Sequence, residues 1–187
     1  MRHRCQYLDQ NGAVSRDALV HLGPIASVTL SRPVLRPEDI QEASSIQIKM
    51  LVDTGASKTV VDRGIAESLG LEPIRFEPMT GISHVAEECP IFLLSIAIGF
   101  VDGLRTTVMT FTSEMVGMST PPTPRPFNGL LGRDFLRFVH LSYDGPAGHC
   151  DIVENSPDNT PMYGHGAHGG NRNKRKQQRA ARKKNRH

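Results

Sequence analysis

A carboxylate that ends an apolar run and opens a tight turn is a candidate for acid–base chemistry. Met50-Leu51-Val52-Asp53-Thr54-Gly55-Ala56-Ser57 has that form. An apolar strand would carry Asp53 into a low-dielectric site, where ionisation is costly and the pKa becomes tunable. Gly55 permits a tight turn and close backbone approach, and Thr54 supplies a short hydroxyl to pin the loop. Asp, Thr and Gly are also ordinary turn residues. By average residue usage, an Asp-Thr/Ser-Gly triplet arises by chance in roughly one chain in ten of this size. The triplet alone assigns nothing, and a second signal is required.

That signal lies about 75 residues downstream, in Phe127-Asn128-Gly129-Leu130-Leu131-Gly132-Arg133-Asp134-Phe135-Leu136. Together the two segments resemble the retropepsin-like aspartic proteases, over roughly residues 21–153. The resemblance implies a mostly β fold, a closed β-barrel with a flap hairpin and short helices, acting as a homodimer. It implies Asp53 as the catalytic residue in an active-site loop of Thr54, Gly55, Ala56 and Ser57. A packed underlay of Leu130, Leu131, Gly132, Arg133 and Asp134 would lie beneath that loop. Thr54 would bond across the dimer axis, Gly55 would offer its carbonyl to substrate, and Arg133 would bond carboxylates or carbonyls near the interface. No cofactor is implied.

Asp-Thr-Gly occurs once, and Asp102-Gly103 and Asp144-Gly145 lack the Thr or Ser. Since the family needs two such aspartates, Asp53 of two chains would meet on a two-fold axis. Carboxylates that close share one proton, as is established for aspartic-protease dyads, and the titration belongs to the pair. The expected reaction is peptide-bond hydrolysis with an optimum on the acidic side of neutral. Two departures from the family stand out. Ser57 occupies the position where viral members carry an acid, so Arg133 needs another partner, with Asp62 one candidate. The flap, expected around Met79, Thr80, Gly81, Ile82 and Ser83, has one glycine where viral flaps have several.

The elements that must position these residues are legible in part. Ile25–Leu30 and Ile46–Val52 read as strands. A short helix over Arg63–Leu69 would be capped by Asp62 and stopped at Gly70. Ile91–Val101 and Leu104–Phe111 flank Asp102-Gly103 as a hairpin. Phe138–Tyr143 and His149–Val153 flank a Gly/Pro turn as another. Ser31–Ser45 and Ser119–Phe127 read as loops, the second holding Pro121-x-x-Pro124, taken as a spacer.

The 187 residues suit one domain with an appendage, and their composition excludes wholesale disorder. No apolar run approaches a membrane span and no apolar segment follows the basic residues Arg2 and Arg4, so neither an anchor nor a secretory signal is expected. The formal net charge of +3 conceals a division. Residues 172–187 carry nine basic side chains and no acid, which leaves 13 basic and all 19 acidic residues in 1–171, a net of −6. The expected layout is an N-terminal segment (1–20) of undefined role, a protease domain (21–153), a Gly/Asn-rich linker (154–171) and a basic disordered tail (172–187). Lys174, Arg175, Lys176, Arg179, Arg182, Lys183 and Lys184 would track phosphates without reading bases, since no aromatic stands among them. RNA or another polyanion is therefore an expected partner, beside a peptide substrate and a second copy of the chain. The alternative function is an inactive dimeric binding module of the same fold, docked through that tail.

Cys5, Cys89 and Cys150 are odd in number and far apart, which argues against a disulfide framework and fits a reducing, cytoplasmic setting. Cys89 and Cys150 read as small buried hydrophobes. Gly164-His165-Gly166-Ala167-His168-Gly169 is flanked by polar chain and carries no dinucleotide fingerprint.

Overall fold

The computed structural model describes residues 1–8, 13, 15, 17–36, 44–80, 86–119 and 125–155. Its elements in chain order are β1 (Arg2–Arg4), α1 (Ala18–His21), β2 (Ile25–Ser31), β3 (Ser45–Val52), β4 (Val60–Asp62), α2 (Arg63–Ser68), β5 (Arg75–Thr80), β6 (Ala86–Asp102), β7 (Arg105–Met118), β8 (Gly129–Leu131), α3 (Arg133–Leu136), β9 (Val139–Asp144) and β10 (His149–Glu154). The mostly β expectation holds, with only short helices among the described residues.

Six strands close into a barrel. Hydrogen bonding runs β2-β3-β8-β4-β7-β6, and a further pairing of β2 with β6 joins the ends. The organiser is β6, 17 residues long. One of its edges pairs with β7 from Ile91 to Asp102. Its other edge takes β5, β2 and β1 in succession along its length. Alternation explains how one strand serves so many partners. Phe92, Leu94, Ile96, Ile98 and Phe100 are fully buried at every second position, as a pleated strand with one face in the core requires. Met50, Leu30, Met115, Leu131, Phe135 and Ile152 complete that core.

Local signals place α2 as its sequence indicates. Asp62 is the N-cap and accepts from Ile65 N–H at 3.1 Å. The chain leaves through Gly70 at φ +71°, while Arg32 donates to the carbonyls of Leu69 and Gly70. The β6–β7 turn falls one residue later than expected. Asp102 pairs with Arg105, so the two turn residues are Gly103 and Leu104, with Gly103 at φ +57°. Both strands also extend beyond their predicted ends. Glu87, Glu88 and Pro90 interrupt the apolar pattern at the start of β6, but β5 pairs with that stretch. At the far end of β7, Glu114 is held by the Arg75 fork.

The N-terminal segment, whose role was open in the sequence, enters the fold. β1 pairs with β10 and with the end of β6, Gln6 bridges to Ile25, and Cys5, Tyr7, Leu8, Ala18 and Leu19 are buried. The compact unit spans Met1–Asn155. Among the described residues no helix is long and apolar enough to cross a membrane.

Candidate active site

Asp53 stands where β3 leaves the barrel. Beneath it, β8 lies between β3 and β4, pairing parallel to the first (Leu51↔Leu130, Val52↔Leu131) and antiparallel to the second (Val60↔Leu130). The loop from Asp53 to Thr59 therefore springs from two strands that share one central neighbour. Asp53 N–H donates to the Leu131 carbonyl at 3.0 Å, which fixes the carboxylate's backbone to the underlay. Parallel strands cannot be joined by a tight turn, which is why the two segments are so far apart in sequence.

The loop also binds its own carboxylate. Asp53 Oδ1 accepts from Gly55 N–H at 2.8 Å and Ala56 N–H at 3.2 Å. Among the described residues nothing donates to Oδ2. The half-buried carboxyl thus has one oxygen oriented by backbone amides and the other available to a water or a second carboxyl group.

Arg133 holds the loop from outside. Its Nη1 donates to the Thr54 and Gly55 carbonyls at 2.8 and 2.9 Å, and its backbone N–H donates to Ala56 O at 2.9 Å. Asp62, considered as its partner, is occupied with the α2 cap instead. Loop carbonyls, in place of a carboxylate, meet the cation. Ala56 is half-buried under this clasp, while Thr54 and Ser57 are exposed.

Gly132 explains the tightness of the underlay. A Cβ there would lie 2.4 Å from both C and O of Lys58 and 2.8 Å from Thr59 N, so only glycine fits between β8 and the returning loop. The neighbouring Asp134 reaches back into the loop, with Oδ2 accepting from Thr59 N–H at 2.9 Å and Oδ1 from the Thr59 hydroxyl at 2.7 Å. Gly132 N–H donates to that same hydroxyl at 3.2 Å.

Two positioning residues escaped the sequence reading. Thr59 is fully buried, and its only signal was a hydroxyl just before the β-branched pair Val60-Val61. Asn128 bridges β3 and β4, donating its N–H to Lys49 O and accepting from Asp62 N–H on its own carbonyl. Of the residues expected in a flap, Met79 and Thr80 end β5. Met79 packs on the small cluster of Cys89, Ile91 and Val116, and Thr80 is exposed. Gly81, Ile82 and Ser83 lie outside the described residues, as do Lys174 to Lys184 of the basic tail.

No curated protein matches this chain. A crystal structure of a retropepsin-like aspartic protease from Rickettsia conorii is 19% identical, covering 68% of this chain and 90% of that one with a TM-score of 0.36. Residues 42–138, more than half the chain, match the family described as "gag-polyprotein putative aspartyl protease", a span that runs from before Asp53 to beyond Asp134. The chain belongs to this retropepsin-like aspartyl protease family.

Proposed function

We propose that the protein is an aspartic endopeptidase that hydrolyses peptide bonds between the Asp53 carboxylates of two subunits. The carrying observation is the placement of Asp53, with Oδ1 tethered to Gly55 and Ala56 N–H and Oδ2 without a donor among the described residues. One such carboxyl is half of an aspartic dyad, and a second copy would complete it. In the pair, the ionised carboxylate takes a proton from a water, which attacks the scissile carbonyl carbon. The protonated partner donates a hydrogen bond to the carbonyl oxygen as negative charge develops there. Collapse of the tetrahedral intermediate then delivers a proton to the leaving amine. In this scheme Thr54 and Gly55 serve the loop's partner and substrate sides, Leu130 to Asp134 keep the loop rigid, and Met79 to Ser83 cover the cleft.

Cleavage of a mixed peptide library from about pH 4 to 7 by the wild type and Asp53→Asn, with sedimentation to read the assembly state, tests this reading. A shared proton predicts a bell-shaped rate on the acidic side of neutral. Asp53→Asn should lose at least about 10³-fold in kcat, since it removes the group that accepts the water's proton. Equal rates in the two proteins, or activity in a strict monomer, would refute the dyad.

The nine cations of residues 172–187 favour a second role beside catalysis, docking on RNA or another polyanion. Salt-dependent RNA binding that disappears on truncation at Gly170 and ignores Asp53→Asn would support it. Salt-independent binding, or binding retained by the truncated chain, would exclude it.

A further inference from the structure

The β1–β10 register sets two thiols face to face. The pairs run Arg2↔Val153, His3↔Ile152 and Arg4↔Asp151, and the next step places Cys5 directly opposite Cys150. Cys5 N–H donates to the Cys150 carbonyl at 3.1 Å. Opposed residues on antiparallel strands have Cα atoms about 4.5–5.5 Å apart with side chains on one face. That spacing lies within the range of about 4.4–6.8 Å that a disulfide bridges. Both residues are buried and belong to the same core cluster. The Tyr7 hydroxyl accepts the Cys150 N–H.

We propose that Cys5 and Cys150 are a modification site, forming a reversible intramolecular disulfide that fastens β1 to the β9–β10 hairpin, with hydrogen peroxide as oxidant. The Cys5 S–H bond favours the thiolate at Cys150, against the opposing effect of burial, and so marks Cys150 as the attacking sulfur. The thiolate attacks one peroxide oxygen and the O–O bond breaks, giving Cys150 sulfenic acid and hydroxide. The hydroxide takes up the proton released from the thiol and becomes water. Cys5 sulfur then displaces hydroxyl from the Cys150 sulfur, and the Cys5 proton leaves with it as a second water. Two thiols lose two electrons in all, and one hydrogen peroxide is reduced. Access comes from β1 parting from β6, where it has a single paired position, while its three pairs with β10 keep the two thiols opposed.

Cys89 supplies an internal control. It is buried like the other two but faces Glu77 across the β5–β6 pairing, and it belongs to a separate cluster with Ile91 and Val116.

The full chain, treated with hydrogen peroxide or with dithiothreitol, is denatured, alkylated and weighed. Three adducts are expected after reduction and one, on Cys89, after oxidation. A non-reduced digest should join the fragments holding Cys5 and Cys150. The oxidised protein should melt about 5–15 °C higher, because the bridge closes a loop around nearly the whole folded unit. Dithiothreitol should reverse both changes. Three alkylatable thiols after oxidation, a stable sulfinic acid on Cys150 with Cys5 free, or a bond between two chains would each overturn the proposal. Cys150→Ala should show two adducts under both conditions, Cys5→Ala should leave Cys150 oxidised without a bridge, and neither variant should show a melting shift. Should either variant fail to fold, the mass map of the wild type decides alone.

Discussion

Thr59 and Asp134, separated by 75 positions, meet through both the backbone N–H and the hydroxyl of the threonine, at 2.9 and 2.7 Å. The contact ties the far end of the Asp53 loop to the first turn of α3, and the hydroxyl also serves Gly132 N–H. It is a buried junction, with Thr59 inaccessible to water. Thr59→Val keeps the shape and strips the hydroxyl, leaving the Gly132 amide without its partner and Asp134 Oδ1 with Phe135 N–H alone. A loss of about 1–3 kcal/mol is expected from the unsatisfied amide. Urea unfolding measures it, and Asp134→Ala, which also abandons Thr59 N–H, should cost at least as much. Unchanged midpoints in both variants would show that the junction is dispensable.

Arg133 should separate activity from stability. Its side chain is exposed, and its contribution is to hold two adjacent carbonyls of the Asp-Thr-Gly loop. Arg133→Ala is expected to lower kcat/KM by roughly 10–100-fold, as loss of loop positioning does, while unfolding free energy falls by about 1 kcal/mol or less. Equal losses in both would make Arg133 a fold residue and nothing more.

Gly132→Ala is expected to be among the most damaging single substitutions in the chain. Its Cβ would fall within 2.4 Å of the Lys58 backbone, which cannot retreat while Thr59 is bonded to Asp134. Overpacking against backbone at this distance should cost about 3 kcal/mol or more. Soluble yield and melting temperature read the result. A near-normal melting temperature would mean that the loop has room to move.

Asp151 makes the first residues of the chain part of the fold's energetics. It is 3% exposed and accepts from Arg4 Nε at 2.5 Å, with Arg2 3.7 Å away. Removing both cations in Arg2→Met/Arg4→Met leaves a buried carboxylate without its partners, at an expected cost of about 3 kcal/mol. Arg4→Met alone should cost less, since Arg2 can still serve. Denaturant midpoints for the single and double variants should rank in that order. A double variant as stable as the wild type would show that Asp151 finds other compensation.

The outer ion pair has a defined pH signature. The Arg75 fork holds the Glu114 carboxyl below its ordinary range, with Glu77 on the guanidinium's other side. A carboxyl held down in the folded state adds stability above its unfolded pKa, and that contribution fades as pH falls through the lower folded value. The melting difference between wild type and Arg75→Ala should therefore be small at neutral pH, because the pair is exposed. It should shrink further once pH drops below the usual glutamate range. A difference that grows toward acid would contradict the assigned cause.

Much of this architecture was legible where local chemistry sufficed. The Asp62 cap and Gly70 exit of α2 are short-range devices, as is the turn at Gly103, displaced by only one residue. The full reach of β6 and β7 was not legible. Glu87, Glu88, Pro90 and Glu114 break the apolar pattern, and what keeps those stretches extended is pairing with β5 and the Arg75 fork. Thr59 was invisible as a site residue for the same reason, since its value depends on a carboxylate 75 positions away.

By itself the sequence determined that Asp53 ends an apolar strand ahead of a tight turn and that a glycine-flanked apolar segment exists to support it. Composition and local pattern carry that information, because strand alternation and turn chemistry act over a few residues. Only the tertiary structure decided that β8 enters between β3 and β4, that Arg133 clasps loop carbonyls in place of an acid, and that Cys5 faces Cys150. Each depends on strand register between distant segments, and register is set by the closing of the barrel as a whole.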